Sequence, residues 1–396
     1  MSGFCGRSFL FRNFAALEPV AYKIFETSRE LFPDSAESPE NLFLSKNYLQ
    51  VLAESAPENM QCFYIGFYAD EKLIGGALAQ YLNLEKLESF GDRDRCFKTM
   101  VRDFLFHSFS SRVLFIGNNM LTGQNAFFHD VSVDRKTIIA SLLPAADAIC
   151  KLLADRNQKI HLITFKDFGP NDTKHFEEAG FSNLYTFSTQ PNMVLDIPEN
   201  WKTMDDYVSA LNKKYRDQYK RALKKAAGIV CRELNLPEII LFEDQLYDLY
   251  DHVARNAPFN TFFLAKNHFE SLKKNLGEAF MLFGYFKEDA LIGFKTIIRN
   301  GCVLDTYFLG YDDNVQKEHM LYLNMLYDMI SFAISNTFTQ IVFARTALEI
   351  KSSVGAVPKE VFGFMKHRNK FIDSLLPKIF PRLEPELIWQ QRHPFK

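Results

Sequence analysis

Mixed α/β sheets, given twice along one chain, are the fold class this sequence predicts, on three observations. Segment pairs recur in one order. FLSKNYLQVL at 43–52 matches FLAKNHFESL at 263–272, 220 residues on. CFYIGFYADEKLIGG at 62–76 matches FMLFGYFKEDALIGF at 280–294, 218 on, and DAICKLLADRNQKIHLITF at 147–165 matches DMISFAISNTFTQIVFART at 328–346, 181 on. Ordered recurrence marks the duplication of a structural unit. The second observation is the stretch 301–351. A β-branched and aromatic run is followed by a long segment with apolar residues at 3–4 spacing and then by the short strand QIVFAR. Strand, helix and strand in that succession make a βαβ unit with parallel strands. The third is Asn300-Gly301 between two β-like runs, a type I′ hairpin signal that adds antiparallel strands to the same sheet.

The elements follow in order. The 396 residues suffice for two or three domains. Residues 8–32 suggest an opening helix through Leu17, Ala21, Ile24, Phe25 and Leu31, with Pro19 in its first turn. A turn-rich stretch follows at 33–39. In each copy a helix then precedes a hairpin, 61–68 with 72–82 and 279–286 with 290–299. The smaller third spacing gives the first copy extra residues, placed at 85–112. That copy continues with a strand at 113–119, a helix at 135–156, the strand in KIHLITFKDF, a short helix at 172–179 and a closing strand at 192–197. Residues 198–203 mark the boundary, so the domains are 1–200 and 201–396. The second opens on one basic helix, MDDYVSALNKKYRDQYKRALKKAAG, with Lys213, Arg216, Lys220 and Lys224 in a stripe and Lys214, Arg221 and Lys225 beside it. That face is either a solvated surface or a patch for ligand phosphates, an anionic membrane or RNA.

Composition narrows the classes. With 47% hydrophobic and 24% charged residues the chain is globular rather than disordered. A net charge of −2 gives no general drive towards nucleic acid, and DNA is not an expected partner. Cys5, Cys62, Cys96, Cys150, Cys231 and Cys302 stand apart with no C-x-x-C pair, so reduced thiols and no metal are expected. No apolar run reaches the ~20 residues of a membrane helix. The N-terminus carries charges through its middle and no cleavage site, so a cytosolic location is expected. G-x-S-x-G, Walker and H-x-x-x-H motifs are absent.

Two mixed sheets with a basic helix between them, the FLSKNYL and FLAKNHF openings, the LIGG and LIGF hairpins, YVSALNKKYRDQYKRALKKA and ARTALEIKSSVGAVPKEVFGFMKHRN at 344–369 resemble the tandem acyl-CoA N-acyltransferase (GNAT) fold, in its Fem-type, FemAB-like branch. The resemblance covers nearly the whole chain. It implies two GNAT-like domains that transfer an acyl or aminoacyl group to an amine, from acyl-CoA, acyl carrier protein or, in the Fem branch, aminoacyl-tRNA. Acyl-CoA users hold the pyrophosphate in an Arg/Gln-x-x-Gly-x-Gly/Ala loop at a helix N-terminus. The equivalent here is 314–320, where Gln316 fits the first position, no glycine follows and Glu318 would repel phosphate. Gln316, Lys317, His319, Tyr322 and Asn324 are the expected donor-binding residues.

Ligands of a parallel strand pair lie beyond its carboxyl ends. Those ends carry Gly310 to Asp313 on one side and Arg345-Thr346 on the other, with Glu349 and Lys351 following. Asp305 is a charge in an apolar strand, and Tyr307, two residues on, shares its face. Asp305 is assigned as general base or amine anchor and Tyr307 as donor to the leaving group, or else Asp305 pairs with a lysine such as Lys295 on the next strand. Arg345 and Glu349 complete the expected catalytic set; Arg345 suits a carboxylate or phosphate, or else a loop-to-helix cap with a surface salt bridge. The expected function is an N-acyltransferase, active in the second copy, with a small-molecule, lipid or peptide amine as acceptor. The rivals are an aminoacyl-tRNA-dependent transferase acting on a cell-wall precursor, and a non-catalytic binding protein for an anionic lipid or wall fragment that touches the membrane surface.

Overall fold

The computed structural model describes residues 20–32, 39–86, 110–188, 190–257, 260–383 and 389–396. Much of the insertion expected at 85–112 lies outside them, as does most of the expected opening helix. The part of that helix that is described is a strand, β1 (Ala21–Phe25), followed by a single turn, α1 (Ser28–Leu31). Ala21, Ile24 and Phe25 fit helical spacing, but β1 pairs antiparallel with β2 over five residues, and that ladder decides the conformation.

The first half continues through α2 (Lys46–Ser55), β2 (Met60–Ala69), β3 (Lys72–Asn83), β4 (Arg112–Ile116), β5 (Phe127–His129), α3 (Arg135–Asp155), β6 (Leu162–Phe168), α4 (Pro170–Glu178), β7 (Tyr185–Ser188) and β8 (Asn192–Asp196). The second runs through α5 (Met204–Ala210), α6 (Lys213–Lys225), β9 (Ile229–Glu233), α7 (Leu236–Leu241), α8 (Glu243–Asn256), α9 (His268–Leu276), β10 (Phe280–Lys287), β11 (Ala290–Asn300), β12 (Val303–Tyr311), α10 (Asp313–His319), α11 (Leu321–Ser335), β13 (Gln340–Ala344), α12 (Leu348–Ser353), β14 (Val357–Lys359), β15 (Phe362–His367) and α13 (Lys370–Leu383). The basic segment is therefore two helices, broken at Leu211 and Asn212.

The first sheet has the order β1-β2-β3-β4-β6-β15-β7, with β5 on β3, and the second the order β9-β10-β11-β12-β13-β8-β14. The two orders are the same design. Each has antiparallel strands, then one parallel pair (β4 with β6, β12 with β13), then antiparallel strands again. One strand in each comes from the other half. The closing strand expected in the first copy, β8, lies beside β13 in the second sheet, and β15 lies between β6 and β7 in the first. A cut at residue 200 divides the chain but not the sheets.

Three large apolar clusters organise the packing. The inner faces of both sheets share one, to which α2 and α9 bring Tyr48, Leu52, Phe269 and Leu272. The outer face of the first sheet is covered by α3, and that of the second by α11. Helix α3, at 21 residues, is by length and composition long and apolar enough to span a membrane, where no such run was expected. Its Ile138, Ile139, Leu142, Ile149 and Leu153 are buried against the first sheet. The Asn300-Gly301 hairpin forms one residue later than expected, centred on Gly301 and Cys302. Only Gly301 has a positive φ (60°), which suits a type II′ turn. Cys62, Cys150, Cys231 and Cys302 are free thiols.

Helix α8 crosses the far end of β12 at Gly310. A Cβ there would stand 2.5 Å from the Leu249 carbonyl carbon and 2.6 Å from the Tyr250 nitrogen. Gly310→Ala should destabilise the chain by roughly 1–3 kcal/mol, read from urea denaturation midpoints. A midpoint equal to that of the parent would rule out this close approach.

Candidate active site at the parting of β12 and β13

Strands β12 and β13 pair only from Val303 with Gln340 to Asp305 with Val342. Strand β12 continues to Tyr311 without its parallel neighbour. A central strand is normally covered, yet Thr306, Tyr307, Phe308 and Leu309 are all partly exposed. The second sheet therefore opens at Asp305. The edge of β12 that faced β13 has no ladder partner beyond this point.

The same place in the first sheet is closed. Strands β4 and β6 pair from Val113 to Ile116, and beyond them Lys166 Nζ donates to the carbonyls of Asn118 (2.8 Å) and Leu121 (3.3 Å). Gly117, at φ 136°, is needed because Lys166 Cγ would lie 2.8 Å from any Cβ there. The ammonium pairs with Asp167 Oδ2 at 2.5 Å, and Asp167 Oδ1 accepts from Arg345 Nη2 at 2.6 Å. Burial alone would raise Asp167, but Lys166 and Arg345 outweigh it and hold the carboxyl below its ordinary value. Arg345 Nε also donates to Thr122 Oγ1 at 3.2 Å. Arg345, expected to meet a ligand, thus engages a buried carboxylate of the other copy. Glu349 pairs at the surface with Arg392.

Asp305 is buried, and its Oδ2 has no hydrogen-bond partner among the described residues. Burial pushes its carboxyl up to about 7, against a smaller opposing effect of the Asn300 side chain. The pairing with Lys295 does not occur. That lysine points to the opposite face of the sheet, where Asp328 lies 3.8 Å away.

Tyr307 stands at the centre of a chain of bonds that joins the copies. Ser55 Oγ–H donates to the Val51 carbonyl at 2.8 Å, so Ser55 Oγ accepts from His268 Nδ1 at 2.8 Å. His268 Nε2 is then free to accept from the Tyr307 hydroxyl at 3.1 Å. The Tyr48 hydroxyl lies 3.5 Å from Tyr307 and accepts from Asn118 Nδ2 at 3.2 Å. Burial drives His268 down to about 4, so the ring stays neutral and can accept. Inspection of single residues missed His268. The repeat contained the signal, because FLAKNHF over FLSKNYL sets His268 on Tyr48, and both touch Tyr307.

The expected donor-binding residues are placed differently. Gln316 and Lys317 lie on α10, a short helix where a loop was expected, capped by Asp312 through the amides of Asn314 and Val315. His319 Nδ1 donates to the Lys225 carbonyl at 2.6 Å, and its Nε2 accepts from Lys287 Nζ at 3.1 Å. Asn324 Nδ2 reaches the carbonyls of Ala222 and His319, both at 3.1 Å. Tyr322 packs beside Tyr311. The start of α11 is thus tied to the end of α6, and His319 and Asn324 spend their donors on protein carbonyls. Across the opening, Ala344, Thr346 and Ala347 all have positive φ, of 57°, 75° and 46°. Such conformations cost about 1–3 kcal/mol each and collect at functional turns. Lys351 Nζ secures the turn by donating to the Arg345 carbonyl at 2.9 Å, and burial lowers its ammonium to about 7. No group of three or more His, Cys, Asp or Glu side chains suited to a metal occurs among the described residues.

No protein-family model and no curated protein matches the chain. Solved structures do. A crystal structure of FemX aligns with 89% of this chain and 99% of its own at 12% identity, with a TM-score of 0.52. L-PGS from Bacillus licheniformis aligns with 88% of this chain and 99% of its own at 11% identity and a TM-score of 0.46. A tandem GNAT protein from the clavulanic acid biosynthesis pathway aligns over the same shares at 9% identity and a TM-score of 0.45.

The orphaned carboxyl of Asp305 has a consequence for stability. The folded chain keeps a proton there up to about pH 7, whereas an unfolded aspartate, with its ordinary value of 3.8, has released it. Stability should therefore fall as pH rises from about 4 to 7 and level off above. Asp305→Asn should flatten this slope and gain on the parent by, at most, on the order of 4 kcal/mol at pH 8. Urea titrations at several pH values measure it. Parallel profiles for the two proteins would mean that Asp305 is hydrated rather than buried.

Proposed function

We propose that this chain, which has the Fem-type tandem GNAT fold, moves an acyl group from a thioester donor, acyl-CoA or acyl carrier protein, to an amine at the opening between β12 and β13. The observation that carries this reading is the asymmetry of the two openings. Lys166 fills the first, while the second leaves Thr306 to Leu309 partly exposed beside the unpartnered carboxyl of Asp305.

The chemistry asks little of the protein beyond position, proton transfer and charge stabilisation. The acceptor nitrogen attacks the donor carbonyl carbon, and the unpaired amides along β12 receive the oxygen as it becomes negative. Asp305 takes the proton from nitrogen. A value of about 7 suits that task, since the group is substantially ionised at neutral pH and still basic. The carbon–sulfur bond then breaks, and Tyr307 turns its hydroxyl from His268 to protonate the leaving sulfur. Tyr48 and His268 hold Tyr307 in place.

A thermal-shift screen with acyl-CoAs, acyl carrier protein, charged tRNA and cell-wall precursors identifies the donor and acceptor. With those in hand, Asp305→Asn should lower kcat by ~10²-fold or more without unfolding the chain. Undiminished turnover in that variant would remove Asp305 as the base.

One observation favours the aminoacyl-tRNA reading. Lys213, Lys214, Lys220, Arg221, Lys224 and Lys225 on α6 are all exposed and make no ion pair among the described residues. A cationic face of that kind attracts a phosphate backbone. If the donor is charged tRNA, RNase should abolish transfer, and Lys220→Glu with Lys224→Glu should raise KM with little change in kcat. Transfer that survives RNase leaves the thioester donor.

A further inference from the structure

The second sheet has a cavity on its outer face, turned away from Tyr307 and the other copy. It measures about 410 Å³ and lies between β9, β10 and β11 and the last two turns of α11. Phe283 and Phe332 form apolar walls, and Ser331, Ser335 and Asn336 supply a polar rim. Lys295 lines it although the residue is only 3% exposed. Its Nζ lies 5.1 Å over the Phe283 ring and 5.7 Å over that of Tyr285. The nearest carboxylate described is Asp328 at 3.8 Å, too far for a hydrogen bond. Asp328 is held from behind by the Tyr285 hydroxyl, which donates to Oδ2 at 2.6 Å. The Asp328 side chain is 39% exposed, and its Oδ1 is open towards the cavity.

The Lys295 ammonium, held only by this loose ion pair, has donors to spare towards the cavity. Arg232 and Glu233 also line the cavity but are paired with Glu238 and Lys273, so Lys295 and Asp328 are the charges left to a ligand. A simple anion would satisfy Lys295 but meet Asp328, and a simple cation would satisfy Asp328 but meet Lys295. A ligand carrying both charges side by side satisfies each. We propose that this cavity binds a free α-amino acid with an apolar side chain. The carboxylate accepts from Lys295, the ammonium donates to Asp328 Oδ1, and the side chain lies against Phe283 and Phe332. Burial lowers the Lys295 ammonium while Asp328 opposes that, and a ligand carboxylate would oppose it further. The size suits a small ligand in a site of this kind. The site is separate from the opening at Asp305 and does not rest on the transferase reading.

Calorimetric titration of the full chain with each of the twenty free amino acids tests it, with the matching N-acetyl amino acids and side-chain-matched amines as controls. One or more apolar amino acids should bind at millimolar concentration or below, and neither control should. Lys295→Met and Asp328→Asn should each weaken binding ~10-fold or more, as loss of a charged hydrogen bond does. Because Lys295 is buried, Ser335→Arg serves as a second variant that fills the rim without touching the charge pair, and it should abolish binding in a chain with a parental circular dichroism spectrum. The proposal is overturned if no free amino acid binds at millimolar concentration. It is equally overturned if N-acetyl amino acids or amines bind as well as the free amino acid, or if binding survives in Ser335→Arg.

Discussion

Each sheet takes its sixth strand from the other half of the chain, and the rest of the architecture depends on that exchange. Strand β15 hydrogen-bonds to both β6 and β7, and β8 to both β13 and β14. Neither sheet is continuous without the foreign strand, so the halves cannot separate without breaking four ladders. The common inner core follows from this, because exchange brings the inner faces together and α2 against α9. The Lys166–Asp167–Arg345 triad adds a buried ionic link across the same boundary. Such a triad costs desolvation, and its contribution is to fix how the copies meet rather than to add much stability.

Within this shared strand order the copies diverge where the parallel strands part. One opening received a lysine whose ammonium is consumed by two carbonyls and a carboxylate. The other received a carboxyl group with a free oxygen. The helices that lead into the hairpins diverge at the equivalent residues Tyr48 and His268, which touch Tyr307 from two sides. A symmetric pair of tyrosines would leave Tyr307 without a nitrogen to receive its proton. The two sheets share one frame, and a few inward residues distinguish the opening beside Asp305 from the one that Lys166 fills.

Much of this was legible in the residues. The repeated openings and hairpins gave two copies of one module, and Asp305 was conspicuous as a charge in an apolar strand. The remainder depends on contacts that local pattern does not encode. Strand β1 carries apolar residues at spacings a helix also allows, and only its ladder with β2 decides. A closing strand has the same alternation in either sheet, so the exchange leaves no trace in the sequence. Arg345 meets Asp167 across the whole length between them, and nothing near Arg345 announces a buried partner. Glycine is absent after Gln316 because the segment forms α10 and α11 starts against the end of α6, an arrangement that needs the position of a helix nearly a hundred residues earlier.

The slot between β6 and β7 bears on how the chain matures. During synthesis the ribosome releases β1 to β7 long before β15 emerges, so the first module waits with an open slit in its sheet while the second is made. Pairings so distant in sequence form slowly, and exposed strand edges invite wrong partners in the meantime. A single-module ancestor making the same exchange would have been an interlocked homodimer. Joining its two subunits end to end gives a chain of this topology, in which the hand-over that once needed two molecules to meet is guaranteed within one.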